Sequence, residues 1–154
     1  MNLMNILQVE EGFKMKPYLC SAGFVTIGIG TKLHKQKGQN PDDFPITVTR
    51  RMAEEWLNTE VNIKVNRLSN GKYGHLFSKL DEGRKAIIVS MAYQMGVSGV
   101  SKFEDMWAAI ANEDWYGAEA AALDSAWARK TPNRAVRHAA ILGGLTIREV
   151  YGEG

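Results

Sequence analysis

Residues 10–30 read EEGFKMKPYLCSAGFVTIGIG, and two changes of pattern around this stretch decide the fold. Ahead of it, Leu3, Ile6 and Leu7 form an apolar stripe at helical spacing. Asn2 is a candidate N-cap and Gly12 stands where a left-handed C′ residue belongs, so a short helix is predicted to end on Glu11. From Phe13 to about Leu33 the period becomes strand-like, with Ser21-Ala22-Gly23 as the turn between two β-rich runs. In the second run Thr26, Gly28 and Gly30 are predicted to share one face, left open, while Val25, Ile27 and Ile29 share the other and pack a core. A carboxyl, a thiol and a hydroxyl (Glu11, Cys20, Thr26) thus fall within a short length of chain.

Downstream, His34 to Pro45 is polar, aperiodic and rich in breakers, which predicts a loop. Thr49 can then cap a long helix whose stripe Ala53, Leu57, Val61, Val65, Leu68 stops at Ser69-Asn70-Gly71. Asp81 caps a segment that is apolar almost all round and closes at Gly96, the expected central helix. Shorter helices are predicted from Phe103 to Ala111 and from Trp115 to Leu123. Thr131-Pro132 opens another that ends at Gly143-Gly144, and Thr146 to Tyr151 adds a last turn. The expected class is α+β in one domain, 1–154, with a small β lobe at 13–48, a connecting helix at 49–68, and a helical lobe made of 1–12 and 69–154.

Composition bounds what such a chain can be. Its 154 residues suffice for a core without staples, and 45% hydrophobic with 23% charged residues is a globular balance. No apolar run approaches the roughly 20 residues that span a bilayer, so stable membrane insertion is not expected. The first residues lack the pattern of a secretory signal, which predicts synthesis in a cytoplasm. One cysteine allows no internal disulfide and no Cys-x-x-Cys metal pair, and neither metal nor cofactor is expected. Net charge is +2, too balanced to argue for nucleic acid. Basic residues do gather at Lys32, His34, Lys35 and Lys37, and again at Arg129, Lys130, Arg134, Arg137 and His138, where the ordinary reading is a solvated surface.

The opening stretch carries the candidate chemistry. Cleaving a glycosidic bond requires a protonated carboxyl at the leaving oxygen and a second group that manages water or the developing cation. Glu11, at the negative end of a helix dipole, suits the first role, because the dipole disfavours its ionised form. Glu10 shares a face with Leu3 and Ile6, and periodicity does not choose between the two. Cys20 reads first as a small buried hydrophobe, and a cysteine-hydrolase pair with His34, His75 or His138 is the lesser alternative, since nothing in the local sequence points to it. Gly28-Ile29-Gly30 lacks the third glycine and the strand-to-helix context of a phosphate loop. Trp56, Trp107, Trp115 and Trp127 lie in helical segments and read as core or lobe-interface residues.

The spacing of Glu11, Cys20 and Thr26 resembles the signature of the T-even phage lysozymes, glycoside hydrolase family 24. That signature is a glutamate, eight residues, an aspartate or less often a cysteine, five residues, then threonine. Glu11-Gly12, Lys16, Tyr18, Gly23, the TIGIG run from Thr26 to Gly30, Gln94-Met95-Gly96 and the TPNRA core within Trp127 to Arg137 resemble the family as well.

The resemblance implies a lysozyme-like α+β fold and hydrolysis of the β-1,4 bond between N-acetylmuramic acid and N-acetylglucosamine in bacterial peptidoglycan. It implies Glu11 as general acid, with Cys20 and Thr26 handling the water, and Tyr18, Gly30, Leu33, Tyr93 and Gln94 holding glycan. Arg134 is implied as the ionic partner of Glu11, and Trp127 as the hydrogen-bonding partner of Gln94. It also implies a monomer made in the host cytoplasm that reaches the periplasmic wall with help from a separate holin-type membrane protein. A thiol in place of the commoner carboxylate leaves three roles for Cys20: base, nucleophile, or support for water held by Thr26.

Overall fold

The computed structural model describes residues 2–152. The chain runs α1 (Leu3–Glu11), β1 (Lys14–Leu19), β2 (Val25–Gly28), β3 (Thr31–Lys32), α2 (Arg50–Ser69), α3 (Gly74–Phe77), α4 (Glu82–Ser101), α5 (Glu104–Ala111), α6 (Trp115–Leu123), α7 (Ala126–Lys130), α8 (Pro132–Gly143) and α9 (Ile147–Tyr151). It is α+β: mainly helical, with a three-stranded antiparallel sheet in the order β1-β2-β3.

The chain divides into two compact units, one of them Leu7–Val61. That unit holds the end of α1, the whole sheet and the first turns of α2. α1 begins where Asn2 accepts the Asn5 amide at 3.1 Å, and it stops on Glu11 because Gly12 turns to φ 69°. Leu19 pairs with Val25 around the turn at Ser21-Ala22-Gly23, and the Cys20 amide donates to the Phe24 carbonyl at 3.0 Å. The register slips between Lys14 and Tyr18, a stretch that includes Pro17, which has no amide to give a ladder.

The long loop contains a single turn of 3-10 helix at Pro41–Asp43, capped by Asn40. Thr49 caps α2 by accepting the Met52 amide at 3.2 Å. Leu7, Val25, Ile27, Ile29, Ala53 and Leu57 are fully buried in this unit.

The expectation of an open strand face is corrected here. Thr26 is 2% exposed, and a Cβ built on Gly28 would stand 3.0 Å from the Ala53 Cβ, so β2 lies directly against α2. Thr26 and Gly28 are both buried, Gly28 against α2.

The second unit is a helical bundle. α4 is its buried element, from Ala86 to Ala92, with Asp81 accepting the Arg84 amide at 2.9 Å as the N-cap. The helical run closes at Gly96 as expected (φ 83°, ψ 158°), and a second run follows directly through Ser101.

Trp107 is buried, stacked on Tyr73 at 4.8 Å, with its ring N–H donating to the Val100 carbonyl. The short helix α3 was not anticipated, and Trp127, expected in a helical segment, lies in the short α7. Ser125 caps α7 by accepting the Ala128 amide, and Thr146 and Glu149 close a capping box on α9. Thr131 precedes Pro132 as foreseen but does not cap α8. Its hydroxyl donates back to the Trp127 carbonyl at 3.0 Å.

The late basic cluster divides: Arg129 and Lys130 are exposed, as a solvated surface requires, whereas two other members are buried. Arg134 is 7% exposed and His138 fully buried. Arg134 donates to the Ser90 carbonyl and, at 3.0 Å, to its hydroxyl. Ser90 lies 2.7 Å from His138 Nε2, and the Tyr151 hydroxyl 2.9 Å from Nδ1.

Arginine only donates, so the Ser90 hydroxyl accepts from it and shares a second hydrogen bond with Nε2, while Nδ1 is bonded to Tyr151. Ser90→Ala leaves the imidazole nitrogen and one guanidinium donor without this partner, and is expected to cost about 1–3 kcal/mol, read by denaturant unfolding.

Candidate active site

The end of α1 presents Glu11 to the turn between β2 and β3. Gly30, at φ 72°, would place a Cβ 2.9 Å from Glu11 Cδ and Oε2, so the carboxyl occupies the space a side chain at position 30 would need. Tyr18 stands in the same neighbourhood. Burial pushes its hydroxyl pKa up, and the negative charges of Glu11 and then Cys20 push it further.

Sheet register sets the remaining groups. Tyr18 pairs with Thr26, and Thr26 with Lys32, so one row of side chains crosses all three strands on one face. By alternation Cys20 and Phe24 fall on that face too.

Burial tends to raise the Cys20 thiol pKa, but the opposing effects win and hold it below the ordinary value. Those are the Phe24 amide, the Thr26 hydroxyl, the Ala22 amide and the positive charge of Lys32. Thr26 has one proton, which in this geometry goes to the Phe24 carbonyl at 2.9 Å. It can turn to the sulfur only by leaving that carbonyl, so the amides and Lys32 are the standing support of the thiolate.

A folded pKa below the unfolded one means the thiolate stabilises the fold fully above the unfolded value. The contribution is lost as pH falls through the folded value.

Glu11, Tyr18, Cys20, Thr26 and Gly30 are thus gathered in one unit. Leu33 joins the same sheet, its amide donating to the Val25 carbonyl at 2.8 Å. In the helical unit Gln94 accepts the Trp127 ring N–H at 2.8 Å and lies 3.5 Å from the Thr131 hydroxyl, while Tyr93 precedes it on α4.

Of the three histidines, His138 is enclosed by Ser90 and Tyr151, and His34 accepts the Gln36 amide. A cavity of about 770 Å³ in the helical unit, lined by Leu3, Phe77, Val89 and Ile141 among others, includes none of the candidate residues. Among the described residues no group of three or more His, Cys, Asp or Glu could hold a metal ion, and no helix is long and apolar enough to cross a membrane.

Comparison with known families gives a match to the phage lysozyme model over residues 8–149. The chain belongs to the phage lysozyme family. Two probable T4-type lysozymes of Dictyostelium discoideum, numbers 2 and 1, are each 27% identical to it, the first over 96% of this chain and 97% of its own length, the second over 95% and 96%. The pre-baseplate central spike protein Gp5 of Enterobacteria phage T4 is 31% identical over 99% of this chain, which spans 29% of that protein's length.

Membership of the phage lysozyme family supports a muramidase-like, peptidoglycan-degrading function. Lys32 and Phe24 were not singled out from sequence. Lys32 read as one member of a basic cluster, and only the pairing of β3 with β2 aligns it with Thr26.

Proposed function

We propose that this phage lysozyme-family chain is an N-acetylmuramidase that cleaves the β-1,4 bond between N-acetylmuramic acid and N-acetylglucosamine. The reading is supported above all by the meeting of Glu11, Tyr18 and Cys20 in one charge neighbourhood against Gly30. In it, Glu11 donates its proton to the glycosidic oxygen as the bond to the anomeric carbon breaks, and a water attacks from the opposite side. Thr26, whose proton is held by Phe24, accepts one water O–H with a lone pair. The Cys20 thiolate takes the other proton as the new C–O bond forms, and both groups then return to their starting states by exchange with solvent. The outcome is inversion.

Tyr18, Gly30, Leu33, Tyr93 and Gln94 are assigned to glycan binding. Trp127 is assigned to fixing the Gln94 amide, and Arg134 to electrostatic support of Glu11. The biological setting in this reading is a monomeric endolysin made in the host cytoplasm and admitted to the periplasmic wall by a holin-type protein.

The test is digestion of purified peptidoglycan, with reducing ends counted and the first-released anomer read by NMR. New reducing ends with the α-anomer first are expected. Release of free amines without reducing ends would replace this reading with an amidase, and binding without cleavage would replace it with a wall-binding module. The β-anomer first would make Cys20 a nucleophile.

A further inference from the structure

We infer that Lys32 is a positioning residue that acts on Cys20 from across the sheet, with Phe24 as the bracket that links the two. Three observations that do not depend on one another point there.

The first is register. Lys32 stands directly opposite Thr26 on β2, which itself stands opposite Tyr18, so the lysine leaves the sheet from the face that carries Tyr18 and Thr26. The second is the location of its charge. The Lys32 ammonium lies 4.4 Å from the centroid of the Phe24 ring, a cation–π contact that restrains an exposed, four-carbon side chain.

The third is what else Phe24 does. Its carbonyl accepts the Cys20 amide at 3.0 Å and the Thr26 hydroxyl at 2.9 Å, and its own amide is directed to the Cys20 sulfur. One residue therefore fixes the backbone of the cysteine, the proton of the threonine and the position of the cation. A thiol at this position gains from a fixed positive charge what a carboxylate would not need, because a free thiol is mostly neutral at pH 7.

Lys37 provides an internal contrast. It also lies over Phe24, at 5.6 Å, but it follows β3 in the loop and has no place in the cross-strand row. General basicity of the lobe predicts that the two lysines act alike on Cys20. The bracket predicts that only Lys32 does.

The use of the thiolate in cleavage rests on the proposed function, whereas the coupling of Lys32 to Cys20 does not. The experiment therefore reads both. The rate of iodoacetamide alkylation of Cys20 is measured against pH for the native protein, Lys32→Met, Lys32→Arg and Lys37→Met. The pH profile of kcat on peptidoglycan is recorded for the same four. Methionine keeps apolar cover on Phe24 while removing the charge, and thermal melting checks that each variant is folded.

Lys32→Met is expected to move the alkylation midpoint upward and to slow alkylation at neutral pH severalfold. Lys32→Arg should restore the native midpoint and Lys37→Met should leave it in place. A native midpoint in Lys32→Met, or an equal shift in Lys37→Met, overturns the inference. If alkylation shifts and the acid limb of kcat shifts with it, both the inference and the role of Cys20 in cleavage are supported. If alkylation shifts and kcat does not, the coupling stands and the assignment of Cys20 to the water is what fails.

Discussion

Replacing Glu11 by glutamine is expected to abolish cleavage of peptidoglycan while leaving the fold intact. The carboxamide has the shape of the acid but no proton of useful acidity to give the leaving oxygen, and loss of a general acid typically costs about 10²- to 10⁴-fold in rate. The change should appear in kcat rather than KM, since the group acts on the bond being broken. Counting reducing ends released per minute from purified wall measures it, with melting temperature as the control for folding.

Glu10→Gln is the comparison. Glu10 is also on α1, but Gly30 closes on Glu11 and the Tyr18 hydroxyl senses Glu11. Near-native activity is expected for Glu10→Gln. Equal losses in the two variants, or full activity in Glu11→Gln, would remove Glu11 from the acid role.

The second large effect is expected from Gly30→Ala. A methyl group there would arrive 2.9 Å from the Glu11 carboxyl carbon, and an alanine at φ 72° also carries the cost of a left-handed backbone, about 1–2 kcal/mol. The two contributions separate through Gly12→Ala. Gly12 has nearly the same φ, 69°, but nothing within 4 Å of its would-be Cβ.

Both variants should lose comparable stability in urea. Only Gly30→Ala should lose activity beyond that, by about 100-fold, the usual consequence of moving a reacting group by an ångström. Parallel losses of activity in the two would mean that strain alone, and not the position of Glu11, is responsible.

The parts of this structure that sequence makes legible are those written locally. Asn2, Gly12, Thr49, Asp81 and Pro132 mark helix ends through their own backbone or side-chain chemistry, and the model places element boundaries at them. The Ser21-Ala22-Gly23 turn is of the same kind.

The misjudged parts depend on partners distant in sequence. Alternation in β2 predicted an exposed face, because nothing in Thr26-Ile27-Gly28 announces that Ala53 will stand against Gly28. Arg134 and His138 read as surface charge because Ser90, which receives both, lies more than forty residues earlier. Thr131 has the residue type of a cap, but its hydroxyl is turned to the Trp127 carbonyl and the Gln94 amide rather than to the first amides of α8. At the site, periodicity left Glu10 and Glu11 open and only the family resemblance singled out Glu11, Cys20 and Thr26, while Lys32 and Phe24 required the strand pairing. Local chemistry defines the ends of elements, and register and packing define their faces.

The contact between Gly28 and Ala53 restricts how this sequence can drift. Position 53 is fully buried, and a side chain at position 28 would meet it as well as the cost of φ 67°. Shrinking residue 53 to glycine would relieve the crowding without making the backbone at 28 hospitable to a side chain. The two positions are therefore asymmetric under mutation: residue 53 can vary between alanine and glycine on its own, whereas residue 28 gains no freedom from that exchange. In a population of descendants, variation should accumulate at 53 before 28, and 28 should change only together with the course of the turn that carries Gly30 to Glu11.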